Sequence, residues 1–172
     1  MMQPATPLPP PHGLPDPFAG VLAGLVAGAA YLAAQMAFAA TVHGGAGWEP
    51  LQRIAAMLLG DDVLPPPGNL NVTIGGIGLL IHFGLSIVFG RLVDVLVLGR
   101  GTAQALVRGA LVGLALYGLD DWIVAPVAFP WFEQARGLTT LIDHVLFGVV
   151  AAAAYVTLRR RLHGSAGERI RT

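Results

Sequence analysis

The sequence contains no cysteine, and this absence removes several kinds of chemistry at once. Disulfides, thiolate metal sites, iron–sulfur clusters and thiol nucleophiles all require that side chain. Charge is also scarce, because only 12% of the residues are Asp, Glu, Lys or Arg, against about 25% in soluble domains. Ten basic and ten acidic residues cancel, so no global charge favours a nucleic-acid partner.

Apolar residues are abundant in place of charge. They make up 55% of the chain, the mean hydropathy is +0.67, and there are 23 glycines. Four segments each approach or exceed the roughly 20 apolar residues with which a helix crosses a bilayer. They cover residues 18–42, 72–98, 104–125 and 138–158. We therefore expect an all-α polytopic membrane protein, a bundle of four transmembrane helices in contact with the lipid bilayer.

The segments outside these spans differ from one another in composition. Residues 1–17 are proline-rich and are expected to form a disordered tail. Residues 49–60 have apolar side chains at helical spacing and end in glycine, which predicts an amphipathic helix. This helix would lie on the membrane surface or cover the mouth of the bundle. Residues 159–172 are rich in arginine and are expected to form a basic tail in the cytoplasm.

Arginine is unevenly distributed among the loops. The loop between the second and third spans and the C-terminal tail hold most of the arginines. Because cytoplasmic loops carry an excess of Lys and Arg, both termini are expected in the cytoplasm. An alternative is that the first span is a signal peptide cleaved after Ala39. The lack of a basic segment before it and the length of its apolar run argue against cleavage.

A glycine-striped span followed by a histidine-bearing span occurs twice, which suggests a duplicated helical hairpin. Lipid gives no hydrophobic drive between helices, so small residues must allow close backbone contact. Helix packing is expected at Gly20, Gly24, Gly28, Ser86, Gly109, Gly113 and Gly148. His82 and His144 share the small-residue faces of their spans, and both side chains are therefore expected to point into the bundle.

His82 and His144 are the first candidates for chemistry, because an ionisable group at membrane depth is a functional-site hypothesis. Two imidazoles on facing helices could bind haem or another metal cofactor. At about 1.5 Å per residue, His82 lies about 15 Å and His144 about 9 Å from the outer ends of their spans. This difference disfavours a shared axial pair. The alternative is that each imidazole makes a hydrogen bond across helices, for example to Ser86, Tyr117 or a backbone carbonyl.

A second candidate is a polar cluster near the outer ends of the third and fourth spans: Asp120, Asp121, Asp143 and His144. Carboxylates beside an imidazole could form a proton relay or a hard-cation site. Successive helical residues point about 100° apart, so Asp120 and Asp121 are not expected to face one site equally. The alternative is an acidic interfacial loop.

The order of these motifs also carries a resemblance to a known family. Glycine stripes mark the odd spans, and the even spans carry histidine, then an aromatic residue and glycine, as in His82-Phe83-Gly84 and in the run from His144 to Gly148. In this pattern the chain resembles small bacterial four-helix inner-membrane proteins of the YagU type. The resemblance extends over all four spans and implies a four-helix fold and a location in a bacterial inner membrane, with no catalytic residues to transfer.

The sequence contains no recognisable nucleophile–base pair, phosphate loop or specific metal motif. The first expectation is therefore a non-enzymatic integral membrane protein that packs with itself or serves as an accessory subunit of a larger membrane complex. One alternative is a haem-binding or other electron-transfer protein that uses His82 or His144. Another is a small proton- or cation-coupled transporter or channel that uses the polar cluster.

Overall fold

The computed structural model describes residues 14–65 and 71–169, with the side chains of 163–169 left aside, and within these ranges it contains helices and no strand. The α-helices are α1 (Pro17–Thr41), α2 (Glu49–Leu59), α3 (Val72–Val97), α4 (Thr102–Leu119), α5 (Ala125–Ala128) and α6 (Leu138–Arg169). A π-helical turn, Asp120–Val124, joins α4 to α5, and 3₁₀ turns lie at Asp61–Val63 and Pro130–Ala135. The all-α prediction is confirmed. The predicted disordered tail lies mostly outside the described residues.

In the described part of the chain, four helical segments are long and apolar enough to cross a membrane: Pro17–Thr41, Val72–Val97, Thr102–Ala128 and Leu138–Leu162. The chain is an integral membrane protein with a four-helix bundle. The third segment continues past Pro126, because this proline stands in the first turn of α5, where its missing N–H is tolerated. Helix α6, which contains the fourth segment, continues through Arg159 to Arg169, since arginine is a good helix former. The predicted tail from residue 159 is therefore helical as far as it is described.

The helices are arranged across the bundle in the order α3, α1, α6, α4. α1 and α6 form an antiparallel central pair, with Asp16 near Tyr155 and Tyr31 near His144. α3 packs on α1 and α4 packs on α6, whereas α3 and α4 make few contacts with each other. Small buried residues of the central pair, such as Ala23 and Ala151, allow the backbones to approach.

The first glycine stripe packs between α1 and α3. A Cβ added at Gly24 would collide with the backbone carbonyl of Ser86, and one at Gly28 would collide with the Ser86 side chain. Gly20 leaves room for the ion pair between Arg91 and Asp94. The small residues of α1 are therefore used within the chain.

The second glycine stripe makes an equivalent contact between α4 and α6. A Cβ added at Gly109 would meet the carbonyl of Gly148, and one at Gly113 would meet the carbonyl of His144. The same kind of crossing, a glycine helix on a histidine helix, thus occurs twice. This equivalence agrees with the expected duplication of a helical hairpin.

Helix α2 packs on the first part of α3 and covers one end of the bundle. Leu51, Ile54 and Ala55 are buried, and the backbone of Leu51 lies against Gly78 of α3. The indole N–H of Trp131 donates to the Arg53 carbonyl at 3.1 Å and ties the second 3₁₀ turn to α2. This amphipathic helix was expected either on the membrane surface or over the mouth of the bundle. In the structure it lies over the mouth of the bundle. We refer to this side of the molecule as the α2 end.

Candidate functional site: an acidic cavity at the α2 end

A cavity of about 750 Å³ lies within the α2 end of the bundle. α2 and the 3₁₀ turn Pro130–Ala135 contribute its cover, and its walls come from α1, α3, α4, the π-helical turn and α6. Five phenylalanines contribute to its lining: Phe38, Phe89, Phe129, Phe132 and Phe147. Pockets that hold drug-sized molecules have volumes of about 300–1,000 Å³ and are mostly apolar. The cavity therefore has the size and lining of a small-molecule site.

Exposed residues in the lining indicate two openings. His43 and Gln134 are exposed and lie at the α2 end. Leu85 of α3 and Leu119 of α4 also line the cavity and are 39% and 44% exposed. They lie on the two helices that scarcely touch, so the second opening faces sideways, toward the lipid.

The predicted polar cluster is brought together on one wall of this cavity. Nε2 of His144 lies 3.5 Å from Oδ2 of Asp120 and 4.0 Å from Oδ2 of Asp121. Nδ1 of the same ring donates to the backbone carbonyl of Thr140 at 2.8 Å, since a carbonyl can only accept. The ring is therefore held through Nδ1, and Nε2 is left to face the two carboxylates.

The π-helical turn explains how both aspartates approach one imidazole. The prediction that Asp120 and Asp121 would not face one site equally assumed ordinary α-helical geometry, yet both carboxylates lie within 4.0 Å of the same imidazole nitrogen. Hydrogen bonding from i to i+5 widens the turn and changes the directions of its side chains, and such turns are frequent at functional sites. Arg136 supports the turn by donating to the Asp121 carbonyl at 2.5 Å, with its guanidinium carbon 4.2 Å from the Trp122 ring centroid.

Asp143 is the least satisfied member of the cluster. Its side chain lines the cavity and the residue is 2% exposed, yet among the described residues Oδ1 has no hydrogen-bond partner. Asp121 is also buried, at 5% exposure. Both residues lie within membrane-spanning helical segments. The alternative of an exposed interfacial loop therefore does not describe them, and a charged Asp143 would be costly without a proton or a cation beside it.

Tyr31 is a central residue of the site that the sequence reasoning missed. Its ring centroid lies 5.8 Å from that of His82 and 5.2 Å from that of His144. Its hydroxyl lies 3.5 Å from Nδ1 of His144 and accepts from the Gln35 side chain at 3.2 Å. The sequence did contain an indication of this role, because Tyr31 lies three residues after Gly28, in the stripe that packs on the histidine helices.

Both histidine rings contact Tyr31, although the two residues were expected at different depths. Nε2 of His82 bonds to the Gly28 carbonyl, whereas the His144 ring packs on Tyr31, three residues farther along α1. Contact with one tyrosine thus brings the two rings into a single site, and the expected difference in depth stays a prediction. The 3₁₀ turn Pro130–Ala135 precedes α6 and lines the same cavity.

The histidine pair nevertheless does not fit a shared haem iron. Nε2 of His82 donates to the Gly28 carbonyl at 2.9 Å, which is the predicted alternative of a bond across helices. Nδ1 of His144 is bound to Thr140, and its Nε2 faces the aspartates. Within the described residues, no group of three or more His, Cys, Asp or Glu side chains is arranged to hold a metal ion.

The opposite end of the bundle is closed. Asp94 is fully buried and forms an ion pair with Arg91, and the hydroxyl of Tyr155 accepts from the backbone N–H of Asp16 at 3.4 Å. Buried alanines and valines, among them Ala23, Val93 and Ala151, form the core in this half of the bundle. None of these three residues lines the cavity.

No protein-family model, curated protein or solved structure matches this chain. Fold and site together define a class: an integral membrane protein with four apolar helices around a cavity, one wall of which carries buried carboxylates and an imidazole.

Proposed function

We propose that this protein is a small proton- or cation-coupled transporter. The observation that carries the proposal is Asp143, a buried carboxylate in the wall of a cavity with one oxygen that no described residue bonds. Within a bilayer such a group needs a proton or a cation beside it, because an isolated charge is costly there. In the simplest form of coupling, a proton and a transported cation bind in turn to one carboxylate, and each displaces the other.

His144 is suited to deliver or receive the proton. Its Nδ1 keeps the hydrogen bond to the Thr140 carbonyl in either charge state of the ring, so the ring does not have to turn. Nε2 binds or releases the proton beside Asp120 and Asp121, which stabilise the charged form of the ring. The packing that closes the opposite end would have to open during transport, as in alternating access.

The direction of insertion belongs to the same proposal. Arg91, Arg100 and Arg108 lie near the closed end, together with the arginines that follow residue 158. Arg53 and Arg136 lie at the α2 end. This bias favours both termini in the cytoplasm of a bacterium, with the α2 end outside its inner membrane. Membership of the YagU type stays a proposal supported by the order of the sequence motifs.

The first functional expectation, self-association or an accessory role in a larger complex, stays a prediction with less support. It was based on the small-residue stripes, some of which were expected to remain free for contact with partner proteins. The stripes at Gly20, Gly24, Gly28, Ser86, Gly109, Gly113 and Gly148 are all in contact within the chain.

Proton movement in proteoliposomes tests the proposed function. Vesicles with a trapped pH indicator would be given a membrane potential, first without added solute and then with Na⁺, with methylammonium or with a lipophilic cation. We expect the wild-type protein to move protons in at least one condition, at a rate at least tenfold above that of Asp143→Asn. Asp61→Asn is the matched control, because Asp61 is exposed and outside the cavity. Wild-type fluxes equal to those of protein-free vesicles in every condition would overturn the proposal.

A further inference from the structure

We propose that the cavity binds a lipophilic organic cation, with its positive charge beside Asp143 and its apolar body against the phenylalanine rings. This inference rests on the proposed function in one respect, since it names the class of cation that the transporter would couple to protons. It depends on the composition of the cavity wall, on the unpartnered carboxylate and on the sideways opening.

The charge of the lining favours a cation. Its charged and titratable side chains are Tyr31 of α1, His43 of the following loop, Glu49 and Arg53 of α2, His82 of α3, Asp120 and Asp121 of the π-helical turn, and Asp143 and His144 of α6. Among these described residues there are four carboxylates and one guanidinium. The carboxylate of Glu49 already accepts a hydrogen bond from the backbone N–H of Ala46. Asp143 is the acid in this lining with a buried oxygen that no described residue bonds.

The arrangement of ligands argues against a bare divalent metal ion as this cation. Calcium and magnesium require about six or more oxygen ligands close to one point. The described residues offer no cluster of three or more His, Cys, Asp or Glu side chains with that geometry. A cation that spreads its charge over an organic framework does not need such a shell, because one buried carboxylate and several aromatic faces can stabilise it.

The apolar part of the lining favours an organic body on that cation. Aromatic faces attract cations through their quadrupoles and also bury apolar surface. Five phenylalanines line the cavity, and Tyr31 adds a sixth ring beside the acidic wall. The sideways opening between Leu85 and Leu119 gives a lipophilic molecule a route from the bilayer without passage through water.

Binding of two ions of similar shape and opposite charge tests the inference. Radiolabelled tetraphenylphosphonium would be titrated onto the full-length protein in detergent, with tetraphenylborate as the competitor of opposite sign. We expect saturable binding of the cation, no competition by the anion, and an affinity at least tenfold lower for Asp143→Asn. Asp61→Asn is expected to bind like the wild type.

A second pair of variants keeps every charge and adds side-chain volume, inside the cavity in one variant and outside it in the other. Ala39 is buried and lines the cavity, so Ala39→Phe should fill part of it and weaken binding of tetraphenylphosphonium at least tenfold. Ala37→Phe is the matched control, because Ala37 lies two residues away on the exposed face of α1. Thermal unfolding of each variant in the same detergent checks that the bundle is retained.

The possible outcomes separate this inference from the proposed function. Competition by tetraphenylborate as strong as by the unlabelled cation would overturn the inference, and so would wild-type affinity in both Asp143→Asn and Ala39→Phe. Proton flux that depends on Asp143, without binding of tetraphenylphosphonium, would leave the transporter standing and exclude this class of cation. Binding that depends on Asp143, without proton movement in vesicles, would support the binding site and reject coupled transport.

Discussion

His144 and Asp143 are neighbours in the chain, but their surroundings differ. His144 is held by the Thr140 carbonyl and by the rings of Tyr31 and Tyr117, so its orientation is set before any ligand arrives. Asp143 has no such support at Oδ1 from the described residues. An imidazole of fixed orientation next to an unsatisfied carboxylate is expected at a ligand-binding site, where function is retained at some cost in stability.

Replacement of Asp143 should therefore not destabilise the protein. A buried unpaired polar atom costs about 1–3 kcal/mol, and more when it is charged. We expect Asp143→Asn to unfold at the same temperature as the wild type or a few degrees higher, while it loses proton movement. Thermal unfolding in detergent, followed by circular dichroism, measures this. A clearly lower unfolding temperature would mean that Asp143 stabilises the bundle.

Glycines in the two crossings should tolerate no side chain. Gly113→Ala places a Cβ against the His144 carbonyl, and overpacking of this kind costs about 1–3 kcal/mol. Gly118→Ala is the matched control on the same segment of chain, because a Cβ there meets no described atom within 4 Å. The control should be neutral or slightly more stable, since alanine is the better helix former. Equal unfolding temperatures for the two variants would argue against the close approach of α4 and α6.

At the scale of elements, the π-helical turn is the part of the fold that makes the cluster possible. It lies at the end of α4, where the chain must carry Asp120 and Asp121 past His144 before α5 begins at Ala125. An α-helical continuation would turn one of the two carboxylates away from the imidazole. The guanidinium of Arg136 binds a backbone carbonyl of the turn and so stabilises the wider geometry.

Removal of one residue from this turn should disturb the site more than the fold. Deletion of Ile123, which is exposed, would let the segment return to ordinary α-helical bonding and would rotate the residues that follow it. We expect proton movement to fall at least tenfold, with the helical signal in circular dichroism retained. Ile123→Ala keeps the length of the turn and should behave like the wild type. Normal flux in the deletion variant would show that the turn is not needed.

For the whole molecule, the order α3, α1, α6, α4 decides where the cavity lies. Two glycine–histidine crossings form two tight pairs, and α1 on α6 joins them. The outer helices α3 and α4 then remain apart, although they are consecutive in the chain. Their separation leaves the space that α2 and Pro130–Ala135 cover.

The absence of cysteine makes the orientation of the whole molecule directly testable. Asp62→Cys places a single thiol at the α2 end, and Gly101→Cys places one in the α3–α4 loop, where a Cβ meets no described neighbour. With a membrane-impermeant maleimide on intact bacterial cells, we expect position 62 to be labelled and position 101 to react only after permeabilisation. The reverse pattern would place the termini outside.

Hydropathy and residue spacing were sufficient to predict the four helices, the position of α2 along the chain, the inward faces of His82 and His144, and the small residues that pack. These features are local, because they depend on the period of one helix and on the cost of polar groups in lipid. The members of the polar cluster were also recognisable, since acids and an imidazole are rare within apolar runs.

Only the packing of the helices decided which of these residues meet. The contact of His144 with Tyr31 depends on the packing of α6 on α1, and the shared approach of Asp120 and Asp121 depends on a π-helical turn. The cavity that Asp143 lines depends on the gap between α3 and α4. None of these features produces a periodic pattern in the sequence from which it could be predicted. Each results from backbone contacts between distant segments, where a shift of one turn changes which side chains can touch.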